Sequence, residues 1–168
     1  IDAVGLLRKE GWLIELHLVG SGDTQALGWM YDSIQRNDPE QKFIIYHGNL
    51  PYEETMEWYH KADMFVFPST CETFGISLLE AMTASMPITS SDRGPMPEIL
   101  KDAGLYFNPE SVTSIKDCLS YMIANPGLQK RLGAKAKQYS QNYSWKKCAD
   151  ETFSFLHNVY VKNKNERD

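Results

Sequence analysis

The stretch Phe67-Pro68-Ser69-Thr70-Cys71-Glu72-Thr73-Phe74-Gly75-Ile76-Ser77-Leu78-Leu79-Glu80-Ala81-Met82 sets two acids at the spacing Glu-x7-Glu between a strand-like run and a helix-like run. Residues Asp63 to Phe67, closed by Pro68, read as a short buried strand, and Ile76, Leu79, Ala81 and Met82 begin a helical pattern. Glu72 then falls in the turn and Glu80 about one turn into the helix. Gly75 lets a ligand approach the backbone, so the free amides of Phe74, Gly75, Ile76 and Ser77 form an anion site at the positive end of that helix. With a rise of about 1.5 Å per residue, Glu80 lies roughly 7 Å beyond Gly75, a reach suited to one end of a nucleotide whose other end meets Glu72. Two carboxylates flanking an anion site point to recognition of hydroxyl groups.

Working outward, strands and helices alternate. The pattern predicts helix 3–10, strand 13–19, helix 24–36, strand 42–46, helix 52–61, strand 63–67, helix 74–85 and strand 87–90. A short helical turn near 97–101, strand 105–107 and helices 112–124, 127–141 and 145–161 follow, before a polar tail, 162–168, expected to fray. Such alternation predicts an α/β fold with a doubly wound parallel sheet and right-handed crossovers. Gly20-Ser21-Gly22, His47-Gly48-Asn49, Pro68 to Gly75 and Ser91 to Pro95 all follow strands, so they collect at the sheet edge where ligands of this architecture bind. The first of these turns is no dinucleotide fingerprint, because Gln25 stands where a third glycine belongs; turn closure and phosphate contact both remain open for Gly20 and Gly22.

At 168 residues, with 42% hydrophobic and 23% charged residues, the chain fits one ordinary globular domain. A net charge of −5 argues against a nucleic-acid partner, which calls for clustered excess Lys and Arg. Ile1-Asp2-Ala3-Val4 lacks the plan of a signal peptide, and no apolar run approaches membrane-spanning length, so the expected location is cytoplasmic, with a peripheral position at the inner membrane as the alternative. Cys71, Cys118 and Cys148 have no metal-type spacing and suit reduced thiols. No Asp-x-Asp pair is present to hold a divalent cation against a diphosphate, so no metal and no cofactor are expected. The basic residues Lys130, Arg131, Lys135, Lys137, Lys146 and Lys147 read as solvated helix faces. Glu98 reads as a first-turn acid of its short helix.

The Glu-x7-Glu stretch resembles the signature of the retaining nucleotide-sugar glycosyltransferases of GT-B fold, the glycosyl transferases group 1 or family 4. Leu18-Val19-Gly20-Ser21-Gly22-Asp23, Ile45-Tyr46-His47-Gly48-Asn49-Leu50, Tyr59 to Ser69 and Ser91-Asp92-Arg93-Gly94-Pro95-Met96-Pro97-Glu98-Ile99 resemble further motifs of that family, in its order and spacing. The resemblance implies a Rossmann-like carboxy-terminal domain, residues 1–161, that binds a nucleoside diphosphate sugar. It implies Glu72 as the catalytic residue at the donor sugar and Glu80 at the ribose. Donor contacts are implied from Gly22, His47, Gly48, Thr73, Phe74, Gly75, Ile76 and Ser77, with His47 to Leu50 reading the nucleobase through the backbone. A UDP-sugar, commonest in the family, is the expected donor. Gly94-Pro95-Met96 departs from the usual pair of glycines at a sugar-facing turn.

The resemblance also implies an amino-terminal acceptor domain in a longer parent, and a first strand that this chain does not supply. Strand 13–19 and strand 63–67 should then be separated by a gap or paired directly, and an open slot would allow self-association by strand addition. The isolated chain is expected to be inactive. A non-catalytic nucleotide-binding module and a plain interaction domain are the alternatives on the same fold.

Overall fold

The computed structural model describes residues 1–165, and within them strands and helices alternate as the pattern predicts. In chain order they are α1 (Asp2–Lys9), β1 (Leu16–Val19), α2 (Thr24–Asn37), β2 (Ile44–Gly48), α3 (Tyr52–Lys61), β3 (Phe65–Phe67), α4 (Ile76–Thr83) and β4 (Ile88–Ser91). There follow α5 (Met96–Leu100), β5 (Leu105–Phe107), α6 (Val112–Ile123), α7 (Pro126–Ser140) and α8 (Trp145–Asn165). Every strand pairing is parallel, as helical crossovers require.

The sheet comes in two parts. β1 pairs with β2, and β3, β4 and β5 form a second ribbon in that order. β1 and β3 are not hydrogen-bonded to one another, so of the two expected outcomes, a gap or direct pairing, the gap is the one found. What holds the ribbons together is side-chain packing on both faces. On one face Ala3, Val4 and Leu7 of α1 and Leu119 of α6 cluster with Leu16 of β1 and Val66 of β3. Successive strand residues point to opposite faces, so His17 and Phe65 turn the other way, toward α3. There Tyr59, Phe65, Leu78, Met82, Ile88, Met96 and Leu100 belong to the main core, which α7 closes with Ala136.

Polar contacts fix the outer helices. Asp2 accepts from Ser33 Oγ at 2.6 Å and from Asn37 Nδ2 at 2.6 Å, which locks α1 to α2. Buried Asp38 accepts from the amides of Lys42, Phe43 and Ile44 at 2.9, 2.7 and 2.7 Å and so shapes the entry to β2.

Several expected bounds need correction, among them those of β1, which starts at Leu16 rather than 13, and β2, which spans Ile44–Gly48 rather than 42–46. Helix α4 starts at Ile76 rather than 74, because Gly75 takes a left-handed conformation, φ 88° and ψ 62°, that a helix cannot contain. The carboxy-terminal helix continues through Asn165, past the expected boundary at 161, so residues 162–165 are helical rather than frayed, and 166–168 lie outside the described residues. Helix α8 is exposed from Trp145 to Lys164, including Phe153, Phe155, Leu156 and Tyr160.

Candidate functional site

The turn between β3 and α4 is built around the backbone of Gly75. Its carbonyl accepts from Leu78 N at 3.0 Å and Leu79 N at 3.2 Å, which starts the helix. The amides of Ile76 and Ser77 make no hydrogen bond among the described residues, and no side chain caps this end. The contrast with α2 is instructive. There Asp23 accepts from Ala26 N at 2.8 Å, so a carboxylate already sits at the amino terminus of the helix that follows Gly22. The α4 terminus, by contrast, offers uncapped amides between the Glu-x7-Glu acids, and orphan first-turn amides at a positive helix end suit a phosphate.

Glu72 is half-buried in the same turn. The next loop passes directly over its backbone: a methyl group built on Gly94 would lie 3.9 Å from the Glu72 carbonyl oxygen and 4.0 Å from its nitrogen. The β3–α4 and β4–α5 loops therefore form one surface. Thr73, Ile76 and Ser77 are exposed on it, while the Phe74 ring packs edge-on against Tyr143 at 5.5 Å, leaving its backbone to serve the turn.

Glu80 is half-buried on α4, and its Oε2 accepts from the Tyr59 hydroxyl at 3.1 Å. That hydroxyl also lies 3.3 Å from the Ser77 carbonyl. Burial, and then the Glu80 charge, push the Tyr59 pKa well above its ordinary value, so it stays a donor.

Gly22, His47 and Gly48 lie on the other ribbon. The two turns there are tied together, Gly20 N donating to Gly48 O at 2.8 Å and the Tyr46 hydroxyl to Gly20 O at 3.0 Å. The His47 side chain is committed inward. Its Nε2 lies 3.0 Å from His17 Nδ1, and both rings rest on Trp58 with centroids 4.4 Å away. Burial, and then the neighbouring His17, lower the His47 pKa. The His17 Nε2 in turn meets Glu15 Oε2 at 3.3 Å.

No hydrogen bond joins Gly22, His47 or Gly48 to Glu72, Glu80 or the α4 terminus. They are linked through α3, whose Trp58 holds the His17–His47 pair and whose Tyr59 holds Glu80. Sequence reasoning missed His17, Trp58 and Tyr59. Tyr59 stands within a quoted motif, but its partner is 21 residues away, and His17 and His47 are 30 apart, separations that no local pattern reports.

Among the described residues no cluster of three or more His, Cys, Asp or Glu side chains could hold a metal ion. Likewise no helix is long and apolar enough to cross a membrane. Grooves of about 510 and 500 Å³ lie beside Pro87 and Lys130 and beside Tyr106 and Cys118, and neither contains a candidate residue. The site is an open shelf along the sheet edge.

Comparison with known proteins bears on the family and the fold. Residues 1–139 match the family model described as Glycosyl transferases group 1. The chain is 29% identical over 131 residues to the O-antigen chain mannosyltransferase B of Escherichia coli, covering 76% of this chain and 34% of that protein. It is 26% identical over 129 residues to the sulfoquinovosyl transferase SQD2 of Arabidopsis thaliana, covering 71% of this chain and 25% of that one. Among solved structures, sucrose-phosphate synthase from Thermosynechococcus elongatus superposes with a TM-score of 0.81 at 20% identity, over 96% of this chain and 42% of that one. Anabaena HepE in complex with UDP-glucose gives 0.78 at 17%, over 94% and 43%. The chain thus spans less than half the length of each of these proteins, and its fold is the Rossmann-like α/β fold of GT-B carboxy-terminal domains. With most of its residues matched to one family model, the chain belongs to the glycosyl transferases group 1 family.

Proposed function

We propose that the chain is the donor-binding domain of a retaining hexosyltransferase, which moves a hexosyl group from a nucleoside diphosphate sugar to a hydroxyl acceptor in polysaccharide or glycoconjugate synthesis. The observation that carries this reading is the uncapped amino terminus of α4, entered through left-handed Gly75, with Glu72 before it and Glu80 within it. In this reading the amides of Ile76 and Ser77 meet the diphosphate, and Glu80 accepts from the ribose hydroxyls. Glu72 contacts the donor sugar, with Thr73 and the Phe74 backbone completing the turn. Gly22 and the backbone of His47 and Gly48 line the base and diphosphate end. The chemistry rests on stabilising the departing diphosphate and the cationic sugar of the transition state with preorganised dipoles, without a metal.

The solved HepE complexes with UDP and with UDP-glucose support a UDP-sugar as donor. The acceptor contacts come from an amino-terminal domain of a longer, cytoplasmic parent, and the isolated chain does not turn over. The unpaired edges of β1 and β3 suit self-association by strand addition.

Calorimetric titration of the chain with UDP, GDP and ADP tests the reading. UDP should bind, and Glu80→Ala should weaken it at least tenfold, the scale of a hydrogen bond to a charged group. Glu72→Ala, placed in the longer parent, should abolish transfer and leave UDP binding in place. Failure of all three nucleotides to bind would refute the proposal.

A further inference from the structure

Glu80 alone is a loosely specified ligand for a diol. Its side chain has several rotatable bonds, and gripping two neighbouring hydroxyls requires both carboxylate oxygens at a fixed tilt. The structure supplies the constraint from another helix. The Tyr59 ring is 9% exposed, belongs to the main core, and packs against Phe65 with centroids 5.6 Å apart. Its hydroxyl reaches across to α4, where it finds Glu80 Oε2 at 3.1 Å and the Ser77 carbonyl at 3.3 Å. One proton cannot serve both fully, and the carboxylate is the stronger acceptor. Oε1 of Glu80 accepts no hydrogen bond among the described residues.

We infer that Tyr59 is a positioning residue for the nucleoside, its hydroxyl holding one oxygen of Glu80 so that the carboxylate is preset to take the ribose diol. This rests on the reading of Glu80 as the ribose ligand. Tyr59 touches no substrate. It acts by removing carboxylate orientations that cannot engage both hydroxyls, so its contribution is largest for a ligand that has both. The Ser77 carbonyl, the second acceptor, lies in the first turn of α4, so the same hydroxyl braces the residue whose amide faces the diphosphate.

The test is a double-mutant cycle read by calorimetry, with UDP and 2′-deoxy-UDP as probes, on wild type, Tyr59→Phe, Glu80→Ala and the double variant. Phenylalanine keeps the ring in the core, and the unfolding midpoint of each variant checks that the fold persists. Tyr59→Phe should weaken UDP about tenfold, the scale of one charge-assisted hydrogen bond, and 2′-deoxy-UDP about twofold. In the Glu80→Ala background the same change should alter UDP affinity less than twofold, because the group it positions is gone. Equal weakening of both nucleotides, or an undiminished effect without Glu80, would overturn the inference and leave the ribose reading standing. A Glu80→Ala variant that binds UDP as wild type does would overturn the ribose reading itself. Where Tyr59→Phe lowers the midpoint, a Tyr59→Leu variant of matched midpoint separates packing from positioning: preferential loss of UDP over 2′-deoxy-UDP in both supports positioning, and parallel loss in both refutes it.

Discussion

Replacing Gly75 with alanine isolates the backbone element on which the proposed anion site depends. At φ 88° and ψ 62° the residue is left-handed, a conformation that costs an L-residue about 1–2 kcal/mol. The new methyl group would meet Phe67 Cε1 at 3.4 Å and Leu78 Cβ at 3.7 Å, ordinary contact distances, so crowding adds little. Alanine also narrows the unfolded ensemble, which returns about 0.5 kcal/mol. The net loss should be about 1 kcal/mol, or a melting midpoint about 2–4 °C lower for a chain of this size. Affinity should fall further than stability. Relaxing φ toward negative values rotates the peptide plane that aims the Ile76 amide, and losing one amide–phosphate bond weakens UDP about tenfold or more. Gly28→Ala in the exposed middle of α2 is the control. Its methyl group meets nothing within 4 Å, so the change should stabilise by about 0.5–1 kcal/mol without affecting UDP. Urea denaturation and calorimetry on both variants decide the matter. A Gly75→Ala protein as stable as the Gly28→Ala protein, or one that binds UDP as wild type does, would refute the argument.

Two other perturbations carry clear signs. Asp38→Ala leaves three amides without their acceptor, and the buried Ile44 amide alone should cost about 1–3 kcal/mol, so a loss of about 3 kcal/mol in urea denaturation is expected and less than 1 kcal/mol would contradict it. Burial raises the Asp38 pKa, but the amides of Phe43, Lys42 and Ile44 outweigh it and hold the carboxyl below its ordinary range, so this contribution is full above about pH 4 and fades as pH falls toward the folded value. His47 carries the same sign at a higher pH: its lowered pKa means that the unfolded chain binds more protons below about pH 6.5, so stability should decline as pH falls from there toward the folded value. Urea midpoints at pH 5, 6, 7 and 8 should show that decline in wild type and a smaller one in His47→Gln, and identical slopes would remove the His47 explanation.

The alternation of elements and the loops that carry Glu72, Gly75 and Glu80 were legible because each rests on local signals: a short apolar run, a Pro stop, a glycine, then a helical period. The start of α4 was misplaced by two residues because composition does not report that Gly75 turns left-handed, although a glycine is the residue that permits it. The end of α8 was placed early because Lys162, Asn163 and Lys164 are polar, and an exposed helix needs no apolar positions to continue. The contacts that organise the site from behind, Tyr59 to Glu80 and His17 to His47 over Trp58, were not legible at all. They depend on how α3 lies across two ribbons that share no hydrogen bond, and sequence periodicity shows which face of a helix is apolar without naming the polar tip it will touch.

Trp58 and Tyr59 are neighbours in the chain, yet one engages the histidine pair of the first ribbon and the other Glu80 on α4, beside the second. A single peptide unit thus acts as the gauge between the two ends of the shelf. If the proposed donor lies along both loops, remodelling either would change which group it meets, but the distance between them would shift only if α3 were reseated.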